Sequence, residues 1–225
     1  MKMDENHKVD MSSGGLLRDA IYSRLREDIL ACRLAPAEEL REQELAALYS
    51  VSKQPVREAL LRLEQERLVT VLPRQGYRVN PVSLSDARDI FRFREVLEPA
   101  CAFDGAQHGG DEALGALSAF RTFDPERSEF IKYNRLFHVA VAMCSPHRRM
   151  RDEVVELVSQ ADRLVLVSVG ATQERDATRL VSEHVAIIEA MQRRDGRLAA
   201  RLLRAHIASA NKRVVSTLSR HAVVM

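Results

Sequence analysis

Apolar residues recur at helical spacing along most of the chain. Leu17, Ile21, Leu25 and Ile29, joined by Ala20, predict a first helix over Leu16–Cys32, which Leu34-Ala35-Pro36 ends. Leu45, Leu48 and Val51 form one face of a short second helix, Gln43–Tyr49. Val56, Ala59, Leu60 and Leu63 stripe a third, Lys53–Glu66, with Ser52 as its N-cap and Pro55 in its first turn, where a missing N–H costs nothing. The pattern then changes. Leu68–Leu72 and Tyr77–Val79 read as strands around Pro73-Arg74-Gln75-Gly76, where Gly76 is free to take positive φ. A helix–turn–helix followed by a hairpin is a winged reader. Its third helix bears Lys53, Gln54 and Arg57 on the polar side, the arrangement that enters a DNA major groove. Arg74 and Gln75 at the wing tip would reach the phosphate backbone or the minor groove. The competing reading of Arg57 is a surface ion pair with a nearby carboxylate. Arg62 and Arg67 read as a solvated helix face.

Beyond Pro81-Val82-Ser83-Leu84-Ser85, where Ser83 or Ser85 can cap a helix, the pattern is helix after helix. Asp86–His108 carries Ile90, Phe93, Val96, Leu97 and Ala100 on one face and is broken by Gly109-Gly110. Glu112–Phe120, Pro125–Met143, Arg149–Val169 ending at Gly170, Arg175–Arg194 ending at Asp195-Gly196, and Arg197–Arg220 follow. The expected fold is mainly α: a winged helix–turn–helix with a small β-hairpin wing, then an antiparallel α-helical bundle. The expected organisation is an arm over 1–14, a DNA-binding domain over 15–80, a linker over 81–85 and an effector-binding, dimerising domain over 86–220.

Composition adds little that is positive and excludes several classes. The 225 residues carry a net charge of only +2, so nucleic-acid binding has to rest on local charge. Cys32, Cys101 and Cys144 are odd in number and far apart, which argues for reduced thiols. No apolar run is long enough to span a bilayer, and Met1–Gly14 is polar and of mixed charge, unlike a signal peptide. The expected setting is the bacterial cytoplasm, at the nucleoid.

The bundle holds one chemical constellation. Asn134 and His138 lie one turn apart on one helix face, beside Ile131, Phe137 and Val141. His184 and His206 each sit beside an apolar stripe on two further helices. Taken singly, each histidine reads as a hydrogen-bonded core residue. Three that point inward can instead converge on one metal. Imidazole suits zinc, nickel, iron or copper, and an Asn134 oxygen would complete a face with open positions.

These residues carry a family resemblance. From Leu17 to Asn80, the run Leu45-Ala46, then Val51-Ser52-Lys53-Gln54-Pro55-Val56-Arg57-Glu58-Ala59-Leu60-Leu61-Arg62-Leu63, then Gly76-Tyr77-Arg78-Val79 resembles the winged-helix reader of the GntR family of bacterial transcription regulators. The resemblance implies that Ser52, Lys53, Gln54 and Arg57 meet DNA, with Arg41 and Gln43 on the preceding helix and Gly76 on the wing. Arg reads guanine and Gln reads adenine, whereas Lys and Ser suit phosphate. Ala37 stands where the family usually has Gly, a change expected to matter little, and Lys53-Gln54 replaces the commoner Arg-Thr, which implies a different operator.

The second half resembles the FCD domain of the FadR-type branch, through Arg94-Glu95-Val96-Leu97-Glu98, Asn134-Arg135-Leu136-Phe137-His138, Glu183-His184, Asp195-Gly196 and His206. That resemblance implies a divalent metal held by Asn134, His138, His184 and His206: zinc first, with nickel, iron or manganese as alternatives. It also implies a small carboxylate effector that completes the coordination. Many members have Asp in place of Asn134. Ser145-Pro146-His147 departs from a common Ser-Gly-Asn turn, and Glu98–Asn134 is shorter than usual. Arg94 is the candidate carboxylate clamp, against an internal salt bridge to Glu98.

The expected function is a homodimeric repressor that binds a palindromic operator on double-stranded DNA and is released by a small organic acid. A rival from another class is a metal-dependent hydrolase. Its only candidate base is Glu183, expected to face away from the metal side. A third reading is a regulator whose histidine cluster is structural and metal-free.

Overall fold

The structure is a computed structural model that describes residues 14–126, 129–169 and 177–222. The expected N-terminal arm, apart from Gly14, and the expected stop at Gly170 lie outside the described residues. The chain divides into two compact units, Met1–Val82 and Ser83–Met225.

In the first unit, α1 (Gly14–Leu30), α2 (Glu42–Leu48) and α3 (Lys53–Gln65) precede a three-stranded antiparallel sheet. Its strands are β1 (Glu39–Leu40), β2 (Val69–Leu72) and β3 (Gly76–Val79), in the order β1-β3-β2. Ile21, Leu25, Ile29, Val56, Leu60 and Leu63 form one core with Leu40, Val69 and Val79. The strand β1 was not legible in the sequence, because two residues have no alternation to read; it exists through the pairing of Glu39 with Arg78 and Leu40 with Tyr77. The wing is therefore three strands rather than a hairpin alone.

Several local expectations need correction. Leu48, assigned to the apolar face of α2, is 53% exposed; Leu45 and Ala46 hold the core instead. Ser52 occupies the N-cap position of α3 but its side chain makes no capping bond. Arg62 is exposed, as expected of a solvated helix face, and its guanidinium in addition lies 3.6 Å from the Tyr22 ring centroid. Ala37 has φ +68°, so the Gly-to-Ala departure places a side chain in the left-handed region, at a cost of roughly 1 kcal/mol. Gly76 opens β3 at φ +118°, and a Cβ there would stand 2.5 Å from the Leu40 carbonyl oxygen. That close approach of β1 explains the glycine better than the turn does.

In the second unit, α4 (Leu84–His108), α5 (Asp111–Ala116), α6 (Phe130–Met143), α7 (Arg148–Val169), α8 (Ala177–Gln192) and α9 (Gly196–Ala222) pack as a bundle. Ser83 Oγ accepts a hydrogen bond from the Asp86 N–H at 2.9 Å, the expected cap. Helix α4 is central, packing on α6, α7, α8 and most extensively on α9. Gly105 allows the approach to α6, since a Cβ would stand 2.9 Å from Cys144 Cβ. Pro99 lies inside α4 and cannot donate to the Glu95 carbonyl one turn back. Arg204 Nε of α9 donates to that carbonyl instead, at 3.2 Å.

The buried face of α4 is not the expected one. Phe93 and Val96 are exposed, while Ala87, Phe91, Arg94, Glu98, Cys101, Ala102 and Gly105 are buried. The periodicity was right and its phase wrong, because two charged residues occupy core positions. Other bounds moved less. Helix α6 starts at Phe130, and the segment expected as one helix to Phe120 ends as a 3-10 turn over Leu117–Phe120.

Candidate functional site

The first site is the outer face of α2 and α3. Arg41, Gln43, Ser52, Lys53, Gln54 and Arg57 are all exposed, as are Arg74 and Gln75 at the wing tip. Arg74 has φ +66°, and the Gln75 N–H closes the turn on the Leu72 carbonyl at 3.0 Å. The polar side chains are cross-linked. Lys53 Nζ donates to Gln43 Oε1 at 3.2 Å, and Gln54 Nε2 to Glu58 Oε1 at 2.8 Å. Arg57 donates through Nε and Nη2 to both oxygens of Glu42, at 2.9 and 2.8 Å. The rival reading of Arg57 as an ion pair is thus realised in the free protein, without removing the residue from the surface. Glu42, not singled out from the sequence, holds the guanidinium in place through this bidentate pair.

The second site lies within the bundle. His138 of α6, His184 of α8 and His206 of α9 are buried, and one ligand-capable atom from each lies within 4.8 Å of the others. Each ring is anchored through Nδ1. His138 Nδ1 pairs with Glu98 Oε2 at 2.6 Å, His206 Nδ1 with Glu183 Oε2 at 2.6 Å, and His184 Nδ1 lies 3.3 Å from the Tyr133 hydroxyl. Phe137 stacks on His184 with centroids 3.8 Å apart. Glu98 in turn accepts from Arg94 Nε at 2.5 Å, so Arg94, Glu98 and His138 form a buried chain. Glu98 is the residue that sequence reasoning placed only as a competitor for Arg94. Its spacing one turn beyond Arg94 was the available signal. Glu183 was expected to face away; it holds His206.

The electrostatics follow from burial and pairing. Burial pushes the Glu98 carboxyl up, but the Arg94 charge and His138 outweigh it and hold the group at about 2. Burial pushes His138 down to about 4, against the pull of the Glu98 carboxylate. Burial also lowers His184 strongly, helped by the two other histidines. His138 is therefore neutral at pH 7, with Nδ1–H donated to Glu98 and the Nε2 lone pair left over. His184 Nε2 is buried and has no hydrogen-bond partner. Such an orphan is what a metal ligand lacking its ion looks like. Three imidazoles anchored through Nδ1, two by carboxylates and one by a tyrosine hydroxyl, are a donor set that fits a divalent ion.

A cavity of about 660 Å3 opens beside the cluster. Asn134, His138 and His206 line it, as do the cations Arg94, Lys212 and Arg213. Arg94 thus serves both readings: its Nε belongs to Glu98, and the side chain still borders the cavity.

Comparisons with known proteins agree with this division. A family model described as bacterial regulatory proteins, gntR family, matches residues 17–79, and an FCD domain model matches 89–209. The HTH-type transcriptional repressor GlaR of Escherichia coli is 30% identical over 203 residues, covering 83% of this chain and 90% of that protein. The HTH-type transcriptional repressor RspR of the same species is 27% identical over 195 residues, covering 83% and 84%. The solved structure of E. coli McbR/YncC superposes with a TM-score of 0.78 at 21% identity, covering 92% of this chain and 99% of that one. At that identity the likeness is one of fold.

Proposed function

Because the chain belongs to the GntR family of bacterial regulatory proteins and carries an FCD domain, we propose that it represses transcription under control of a small carboxylate sensed at a metal in the bundle. In this reading residues 15–80 hold an operator and residues 86–220 sense and dimerise. The observation that carries it is the cluster of His138, His184 and His206, with Nδ1 of each committed to a second partner. Asn134 would supply a fourth, neutral ligand. Zinc is the first candidate, since three imidazoles with open positions suit it; nickel, iron and manganese remain alternatives. A bound ion would supply a Lewis-acidic position for the effector carboxylate, and Arg94, Lys212 and Arg213 would add positive charge around the same cavity.

The hydrolase reading is set aside. The relatives are regulators, and Glu183 is engaged on His206 rather than poised as a base. The buried, unpartnered Nε2 of His184 disfavours a purely structural cluster. Setting the protein in the bacterial cytoplasm is part of this proposal; among the described residues, no helix is long and apolar enough to cross a membrane.

The test is a gel shift on DNA from the region upstream of the protein's own gene, with zinc and with chelator. A sequence-selective, salt-sensitive complex is expected. Arg57→Ala should weaken it by about tenfold or more. His138→Ala should leave the complex intact while removing metal from the purified protein. Absence of any selective complex with wild-type protein would sink the operator reading. Retention of full zinc stoichiometry by His138→Ala would sink the metal site.

A homodimer is part of this proposal, with the outer face of α4 as its contact. Phe93 and Val96 lie on that face, 46% and 52% exposed, and two readers on a two-fold axis would match a palindrome. Phe93→Glu is expected to convert the dimer to monomer in sedimentation and to lower operator affinity. A dimer unchanged by that substitution would place the contact elsewhere.

A further inference from the structure

The outer side of α3 carries two short parallel rows, and their hydrogen bonds sort them by polarity. Lys53 and Arg57, four residues apart, form the first row; Gln54 and Glu58 form the second, one position round the helix. The first row can only donate. Lys53 Nζ donates to Gln43 Oε1 at 3.2 Å, so the Gln43 amide has its oxygen engaged and its Nε2 left over. Arg57 commits Nε and Nη2 to Glu42 and keeps Nη1. The second row is the reverse. Gln54 Nε2 donates to Glu58 Oε1 at 2.8 Å. A carboxylate can only accept, so this bond fixes which end of the Gln54 amide faces Glu58 and leaves Oε1 for the groove. Glu58 is itself held from α1, where Arg18 Nη1 stands 3.7 Å from its Oε2. An acceptor row thus lies beside a donor row. Bidentate reading of adenine needs both ends of a glutamine, an acceptor for N6–H and a donor for N7. Gln54 has only the acceptor end free.

We propose that Glu58 is a positioning residue for base specificity: it holds Gln54 so that Oε1 accepts from the exocyclic amine of a base, adenine N6 or cytosine N4, at one position of the operator. Guanine and thymine present only acceptors in the major groove, N7 and O6 or O4, and these would face the Gln54 oxygen and the Glu58 carboxylate. Opposed acceptors are costly there, because the groove leaves little water to satisfy either side. A free glutamine would choose adenine; a glutamine held in this way accepts either amine. The inference rests on the operator reading above and deepens it. The departure at positions 53 and 54 becomes a change of base class, set through a residue that need not itself touch DNA.

The experiment is selection of binding sites by the full-length protein from a random duplex library, followed by titration of the selected site with each of the four bases at each position. At one position, adenine or cytosine is expected to bind tenfold or more tightly than guanine or thymine. Nebularine in place of that adenine, or zebularine in place of that cytosine, removes only the exocyclic amine and should cost as much; the arm that loses affinity identifies the amine being read. Glu58→Ala, and the nearly isosteric Glu58→Gln, should bring the ratio at that position within threefold, because the Gln54 amide can then turn, while selectivity at other positions is kept. Gln54→Lys, which can only donate, should invert the preference to guanine or thymine. A ratio undiminished in both Glu58 variants would overturn the inference, as would a selected site with no such position or equal binding of the amine-free analogues; each of these leaves the operator reading standing. If the wild-type protein selects no site at all, the operator reading itself fails and the inference goes with it.

Discussion

Replacing Glu98 with alanine is expected to destabilise the helical unit by about 3–5 kcal/mol, the range for breaking a buried ion pair from one side. Glu98 is 1% exposed and Arg94 4%, so neither charge has water to fall back on. The substitution strands the Arg94 guanidinium, removes the acceptor of His138 Nδ1 and leaves a cavity. Chemical denaturation followed by far-UV circular dichroism would read this as a lower midpoint with an unchanged slope. The double variant Arg94→Met with Glu98→Gln should recover most of the loss, because no buried charge remains and the Gln carbonyl still accepts from His138. A loss below about 1 kcal/mol for Glu98→Ala would mean that water reaches the pair.

The same cluster sets the acid side of the stability profile. Glu98 sits at about 2, below its ordinary 4.5, so its contribution is present above 4.5 and is lost as the pH falls towards 2. His138 sits at about 4, below its ordinary 6.5, so the folded state favours the neutral ring. Its contribution is complete above 6.5 and is lost as the pH falls from 6.5 to 4. His184 is shifted in the same direction. Chelated Asp162→Asn protein, which lacks the acid raised to about 7, is expected to lose melting temperature from just below pH 6.5, before its remaining carboxylates titrate. A melting temperature that stays flat between pH 7 and 5 would contradict neutral, buried histidines. Bound metal would shift the loss to lower pH, since the ion competes with protons for the same nitrogens.

Asp162→Asn is expected to work in the opposite direction, stabilising the ligand-free protein by on the order of 3–4 kcal/mol above pH 7. The Asp162 carboxyl is raised from 3.8 to about 7, so the folded state holds its proton longer than the unfolded chain does. The wild-type side chain is therefore least costly below pH 3.8 and loses stability as the pH rises through 7. Melting temperatures of the two proteins should coincide near pH 4, separate between 4 and 7, and keep a constant gap above that. A gap independent of pH would mean that Asp162 does not titrate in this window.

The reader was largely legible in the sequence because its signals are local. Helical spacing of Val56, Ala59, Leu60 and Leu63 places one face of α3 in the core and so turns Lys53, Gln54 and Arg57 outward. Glycine and turn residues between two short β-rich runs mark the wing. What failed there was the non-local part. Strand β1 exists only through pairing across 37 and 39 residues, and Glu42 meets Arg57 across a turn that periodicity does not describe.

In the bundle the sequence by itself determined that His138, His184 and His206 lie on separate helices beside apolar stripes, and that Asn134 shares a face with His138. Tertiary structure decided the chemistry. Phe93 and Val96 read as core by hydrophobicity, yet Arg94 and Glu98 are the buried pair, because mutual neutralisation makes a charge tolerable where no local pattern predicts it. Which imidazole nitrogen remains open depends on Glu98, 40 residues from His138, and on Glu183, 23 residues from His206. Asp162, on a helix with no motif, is a costly buried acid only because packing leaves its Oδ2 without a donor. Local spacing specifies faces. Which polar groups meet, and which one is left unpaired, is settled by the assembled core, where water is absent and every donor and acceptor has to find its partner in three dimensions.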